Sequence, residues 1–248
     1  MSNIILKTKD LSKNYYLGTY NLLKFYKIVN KYFLNKEKID DEIIALNKIN
    51  IEIKKGESVA ILGKNGFGKT TLCKLISEVT EPSDGIIEIN GKIVPILALT
   101  FGIQVETSGL ENINFLGAMF GVDQSYIKNN LDKIEKFANI EGYLDTPLKK
   151  YSSGMITRLI FSTLINIPSD LLILDEVLAV SDQSFKNKAI SELKKKNENG
   201  TAIVCISHEE KIIKSICKCG YVFIKKGELS EKLEINDALK LYESTIYN

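Results

Sequence analysis

Residues 63–71 read Gly63-Lys64-Asn65-Gly66-Phe67-Gly68-Lys69-Thr70-Thr71, which sets three glycines just ahead of Lys69 and two hydroxyl side chains. Glycines let consecutive backbone N–H groups turn inward around an anion, where a Cβ would obstruct them. Lysine adds a mobile positive charge, and a threonine hydroxyl is a hard oxygen donor suited to a divalent cation. The apolar run Ser58-Val59-Ala60-Ile61-Leu62 before the loop has strand character, and Leu72, Leu75 and Ile76 after it fall at helical spacing. The helix then turns its positive N-terminal end toward the same anion. Strand, glycine loop, Lys-Thr and helix make a P-loop, so the chain is expected to bind a nucleotide. Lys69 would reach its β/γ-phosphates, and Thr70 would hold Mg²⁺.

Two more strand ends carry chemistry. Leu171-Leu172-Ile173-Leu174 is a continuous apolar run, as in a parallel strand buried on both faces, and it ends in Asp175-Glu176. Ala202-Ile203-Val204-Cys205-Ile206 is a similar run ending in Ser207-His208, the only histidine of the chain. Open parallel sheets bind ligands at the carboxyl ends of their strands. Asp175, Glu176 and His208 are therefore expected to meet at the phosphate end of the P-loop.

Composition narrows the classes. With 33 Lys+Arg against 31 Asp+Glu, net charge gives no reason to invoke nucleic acid. Cys73, Cys205, Cys217 and Cys219 have no disulfide-framework spacing, and no second pair or nearby histidine completes a metal site around Cys217-x-Cys219. The N-terminal residues lack a signal-peptide apolar region. The longest uncharged apolar stretch, about residues 93–103, falls well short of the ~20 residues of a spanning helix. The chain is not expected to cross a membrane by itself.

The positioning elements follow in order. Ile4-Ile5-Leu6 reads as a first strand that residues 10–16 leave. Residues 19–34 place Leu22, Leu23, Phe25, Tyr26, Val29, Tyr32 and Phe33 on one helical face, interrupted by Lys24, Lys27 and Lys31. Such a helix suits a membrane surface or membrane partner, and equally a cover over its own domain. Residues 47–53 alternate as a half-exposed strand, and Ile86-Ile87-Glu88-Ile89 is a further sheet element. Ser108 with Glu111 forms a capping box that opens a helix through Phe120, and Ile127, Leu131, Ile134 and Phe137 or Ala138 mark another. Residues 97–165 thus form a helical insertion between strands. Tyr221-Val222-Phe223-Ile224, the turn Lys226-Gly227-Glu228 and a helix over residues 237–247 close the chain.

Tyr151-Ser152-Ser153-Gly154-Met155, placed between the P-loop and the Asp175-Glu176 strand, resembles the signature motif of ABC ATPases. Nearly the whole chain shares the resemblance. It implies an α/β P-loop NTPase of the ABC ATPase fold, with a RecA-like core, an antiparallel β-subdomain and a helical signature subdomain in one ATP-binding domain over residues 1–248. It also implies roles: Asp175 holds Mg²⁺ through water, Glu176 polarises the attacking water, and His208 contacts the γ-phosphate. Asn65, Gly66, Gly68, Lys69, Thr70 and Thr71 bind ATP, and Asp182 is the D-loop aspartate. Tyr15 stands where an aromatic stacks on adenine, although the adjacent Tyr16 could do so instead. Ser152 and Gly154 would contact the γ-phosphate held by the other subunit of a homodimer.

One position departs from the pattern. The family's Q-loop glutamine would fall at Leu99 or Thr100; Gln104 is the nearby glutamine, displaced, and is carried as a candidate metal or water contact. The segments Asp145-Thr146-Pro147-Leu148 and Leu178-Ala179-Val180-Ser181-Asp182 resemble those of polysaccharide-exporting members, which handle teichoic acid, O-antigen or capsule. That resemblance implies ATP hydrolysis, a separate integral-membrane permease, a lipid-linked polysaccharide handled through the permease, no nucleic-acid partner, and a peripheral place on the cytoplasmic face of the cell (inner) membrane. The chain is expected to lack the C-terminal carbohydrate-binding β-domain of some relatives, leaving substrate recognition to the permease. The rivals are a soluble ABC-type ATPase not coupled to transport and a non-hydrolysing regulator, which would normally lack Glu176 or Lys69. A GTPase would carry an Asn-Lys-x-Asp motif, which does not follow this P-loop.

Overall fold

In the computed structural model the sheet that carries the site is built from the apolar runs of the sequence. Residues 3–16, 42–96, 102–176 and 182–247 are described. The helix expected over residues 19–34 lies outside them, as do Leu99 and Thr100. In chain order the strands are β1 (Ile4–Tyr16), β2 (Glu42–Ile49), β3 (Glu52–Lys54), β4 (Ser58–Leu62), β5 (Asp84–Ile89), β6 (Ile93–Ile96), β7 (Leu171–Asp175), β8 (Ala202–Ile206), β9 (Cys219–Lys225), β10 (Glu228–Leu229) and β11 (Leu233–Glu234). The helices are α1 (Lys69–Ile76), α2 (Gly109–Met119), α3 (Gln124–Ala138), α4 (Ser153–Asn166), α5 (Gln183–Glu198), α6 (Glu210–Ile216) and α7 (Ile235–Tyr247).

The larger sheet runs β10-β9-β4-β8-β7-β6, with β11 also on β9. Strands β9, β4, β8, β7 and β6 are parallel, and the register Asp175↔Ile206 brings the carboxyl ends of β7 and β8 side by side. Side chains alternate between two cores. Ala60, Leu62, Leu172 and Leu174 face one, while Val59, Ile61, Leu171 and Ile173 face the other. Burial on both faces explains why these strands are apolar at every position.

The smaller sheet is antiparallel: β1 pairs with β2 and β3 along one edge and with β5 along the other. Here the structure corrects two expectations. Residues 10–16 do not leave the first strand. Asp10 takes a left-handed φ of 50°, and register shifts around Leu11 and Ser12 let the strand bend and go on pairing. Residues 47–53 are two strands rather than one. Lys48 has a φ of 52°, Asn50 accepts from the Asp10 N–H at 2.9 Å, and the Thr8 hydroxyl bridges Ile49 and Ile51 in place of a ladder bond.

Between β6 and β7 the described residues hold only helices: α2, α3, a single 3₁₀ turn at Leu148–Lys150, and α4. Helix α2 opens on the expected capping box of Ser108 and Glu111. Asn112 is 2% exposed and ties down the preceding loop through the Gln104 backbone and Thr107. Among the described residues no helix is long and apolar enough to cross a membrane. The four cysteines are free and buried.

Candidate functional site

The P-loop leaves β4 at Leu62 and enters α1 at Lys69, and its geometry depends on glycine. Gly68 has a φ of 119°, and a Cβ there would lie 2.7 Å from both the Ala45 carbonyl oxygen and the Leu46 side chain. No side chain caps α1, whereas α2, α3, α4 and α5 are capped by Ser108, Asp123, Ser152 and Asp182. The first N–H groups of α1 are thus left to the loop's interior, as an anion-binding helix end requires.

A cavity of about 630 Å³ opens over this end. Asn65, Gly66, Gly68, Lys69, Thr70 and Thr71 line it from the loop and helix, Asp175 and Glu176 from the end of β7, and His208 from beyond β8. Tyr15 contributes from β1. Residues drawn from four separate parts of the sequence therefore meet in one cleft. Tyr15, rather than Tyr16, is the aromatic that lines it, with the Lys13 ammonium 5.4 Å from its ring centre.

Lys69 is 8% exposed, and its ammonium donates to the Gly63 carbonyl at 2.6 Å and the Lys64 carbonyl at 3.1 Å. Burial lowers its pKa, opposed by the charges of Glu176 and Asp175. Asp175 is pushed the other way: burial and then the neighbouring Glu176 raise it, against the pull of Lys69 and His208. Crowded carboxylates facing a lone buried ammonium are typical of sites that take up further positive charge.

Glu176 sits in the left-handed region with a φ of 53°, held by its N–H donating to the Ile206 carbonyl at 3.0 Å. For a non-glycine residue that conformation is unfavourable by about 1 kcal/mol or more. Its carboxylate lies 2.8 Å from His208 Nε2, which also lies 3.1 Å from Asn65 Oδ1. The bend after β7 and the turn after β8 thus deliver a carboxylate and an imidazole to the phosphate end together.

The remaining expected residues lie elsewhere. Ser152 caps α4 by accepting from the Met155 N–H at 3.2 Å, and neither Ser152 nor Gly154 lines this cleft. Asp182 caps α5 by accepting from the Phe185 N–H at 2.9 Å, and its other oxygen is 3.7 Å from Arg158. Gln104 is not brought to the cleft. Gln104 is exposed, and its backbone is held by Asn112 and Thr107.

Sequence reasoning missed Ile43, Ala45 and Lys226, which also line the cavity. Lys226 arrives because the β9–β10 turn is fastened to the loop, with the Gly227 N–H donating to the Phe67 carbonyl at 2.9 Å. The only local signal was the Lys226-Gly227 turn itself, which says nothing of where it lands.

The donor set suits magnesium. Thr70 and Asp175 offer hard oxygens beside the phosphate-binding loop, and Mg²⁺ is commonly held by one or two such groups together with substrate phosphates.

Known proteins agree with this geometry. A family model described as ABC transporter matches residues 46–179, more than half of the chain. The teichoic acids export ATP-binding protein TagH of Bacillus cereus is 35% identical over 240 residues, covering 93% of this chain and 43% of the relative. The ABC transporter protein AbcA of Aeromonas salmonicida is 40% identical over 185 residues, or 75% of this chain and 60% of the relative. The O-antigen export system ATP-binding protein RfbB of Klebsiella pneumoniae is 32% identical over 203 residues, 82% of each. The chain thus spans about half the length of the first two.

Among solved structures, the ATP-binding subunit of an ABC transporter superposes with a TM-score of 0.79 at 19% identity, covering 98% of this chain and 99% of that one. An ATP-binding cassette dimer in a post-hydrolysis state with ADP and Pi gives 0.74 at 20% identity, covering 93% and 98%. These two establish the expected ABC ATPase fold. Since the matched segment runs from β2 through the P-loop and α4 to the residues after Glu176, this chain belongs to the ABC transporter family.

Proposed function

We propose that this chain is the ATP-hydrolysing subunit of an exporter, acting as a homodimer that drives a lipid-linked polysaccharide through a separate integral-membrane permease. Its place would be peripheral, at the cytoplasmic face of the cell membrane. The observation that carries the ATPase reading is the single cleft in which an uncapped helix end, Lys69, Asp175, Glu176 and His208 converge. Phosphoryl transfer to water needs positioning, charge neutralisation and an oriented nucleophile more than covalent chemistry.

Each side chain has a part in that division of labour. The loop N–H groups and Lys69 would cradle the β- and γ-phosphates, with Tyr15 against the base. Glu176 would orient and polarise the attacking water, and His208 would donate from Nε2 to the γ-phosphate. Thr70 and Asp175 would hold Mg²⁺, which supplies charge neutralisation of the phosphates. Ser152 and Gly154 line no part of their own cleft, which supports a role across a dimer, toward the nucleotide of a second copy. The polymer class rests on relatives named for export of teichoic acids and O-antigen.

The test is twofold. Glu176→Gln protein with ATP and Mg²⁺ should sediment at twice the monomer mass and revert when the metal is chelated; a monomer at all concentrations would contradict the paired arrangement. Deleting the gene should trap polymer inside the cell, and polymer reaching the surface at the normal level would contradict the export assignment.

A further inference from the structure

The cleft explains one side of the His208 ring, and the other side points to the C-terminal helix. We propose that Tyr242, on α7, is a positioning residue: its hydroxyl donates to His208 Nδ1 and holds the ring so that Nε2 presents an N–H to the cleft. The inference rests on the reading of His208 as a contact to the transferred phosphoryl group.

The hydrogen-bond pattern fixes the direction of each bond. Nε2 faces two oxygens, Glu176 Oε1 at 2.8 Å and Asn65 Oδ1 at 3.1 Å. Asn65 Oδ1 also lies 3.4 Å from the Lys69 ammonium, a group that can only donate, so that atom is the acceptor end of the amide. Nε2 facing two acceptors carries the proton. In the neutral ring Nδ1 is then a lone pair, and the hydroxyl of Tyr242 lies 3.4 Å from it. Burial and the charge of Glu176 raise the Tyr242 phenol, which keeps it an O–H donor at neutral pH.

The surroundings leave this task to Tyr242. A small cavity of about 150 Å³ lies behind the ring, with Leu62, Leu239, Ser207, Glu210, Tyr242 and Glu243 among its walls. The Ser207 hydroxyl accepts from the Glu209 N–H at 3.0 Å, Glu210 pairs with Lys214 and Glu243 is exposed; of these walls it is the Tyr242 hydroxyl that lies within hydrogen-bond distance of Nδ1. The Tyr242 side chain packs against the larger core beside Leu239 and Leu241, so the direction of its hydroxyl is set by packing. A ring anchored at one nitrogen can swing; anchored at both, it keeps a donor aimed into the cleft. Fixing one ring nitrogen to set the work of the other is a common histidine device.

The test exploits the single histidine of the chain, whose ring resonances need no assignment. With ¹⁵N-histidine in the full chain at about pH 8.5, above the ordinary histidine range, the wild type should show a protonated Nε2 and a hydrogen-bonded, unprotonated Nδ1. Tyr242→Phe should move the Nδ1 resonance toward that of a free lone pair and lower kcat for ATP about two- to tenfold, the weight of one hydrogen bond, with KM unchanged. A wild-type ring protonated at Nδ1 would overturn the proposal even if the variant failed to fold. So would an Nδ1 resonance that the substitution leaves in place. A shifted Nδ1 with undiminished turnover would uphold the hydrogen bond and overturn the catalytic reading of His208 beneath it.

Discussion

The two ends of the central sheet treat charge in opposite ways. At the carboxyl ends of β7 and β8, Asp175, Glu176 and His208 face an open cleft, and Asp175 is driven up by burial and by its neighbour Glu176. At the amino end of β4, burial of Glu57 is outweighed by the bonds it accepts. Lys232 lies 2.8 Å away, the Lys54 N–H donates at 2.9 Å, and the carboxyl is held below its ordinary value. Tyr221 beside it trades hydrogen bonds with the backbone of Glu52, and Cys219 is pushed up to about 12 by burial and the Glu57 charge. One end satisfies its charges within the chain. The other leaves them to a ligand, which is the usual trade of stability for activity at a functional site.

The largest effect that could break this comparison is on turnover. Asp175→Asn should cut ATP hydrolysis by about 10²-fold or more, the weight of a metal-holding carboxylate, while the melting temperature is not lowered, because a buried, repelled charge has gone. A variant that melts well below wild type would show that Asp175 is structural. Glu57→Gln should do the reverse. It leaves Lys232, half-buried, without its charged partner, a loss of about 1–3 kcal/mol in denaturant unfolding, with turnover close to wild type.

The smallest effect is in pH, and its sign separates the two ends. Glu57 binds its proton less tightly folded than unfolded, so its contribution is present above the ordinary 4.5 and is lost as pH falls through its lower folded value. Asp175 binds its proton more tightly folded, so its charge opposes folding as pH rises from 3.8 through the raised value. Titrating each variant against wild type should show the destabilisation of Glu57→Gln and any gain of Asp175→Asn both fading on acidification. Differences that stay constant across this range would refute the electrostatic account.

How much could be read from the sequence follows from how local each feature is. The P-loop is one contiguous run whose glycines, lysine and threonine act together, and the capping box of Ser108 and Glu111 acts over three residues. Asp175, Glu176 and His208 were legible because apolar runs mark buried parallel strands and the ligand end of such strands is fixed. Lys226, Ala45 and Ile43 were not, since a turn and an edge strand reach the cleft only through pairings far apart in the chain. Tyr242 was hidden for the same reason, lying 34 residues beyond the histidine it touches. The length of β1 escaped because bulges at Asp10 and Ser12 look, in sequence, like the end of a strand.

The central claim is that the cleft end of the sheet is built for hydrolysis and not merely for holding a nucleotide. Glu176→Gln measured for both ATP affinity and single-turnover hydrolysis tests it most directly. The amide keeps the size of the side chain but orients and polarises water poorly, so ATP should bind at near wild-type affinity while hydrolysis falls about 10²- to 10⁴-fold. Hydrolysis within a few-fold of wild type, at equal affinity, would contradict the account.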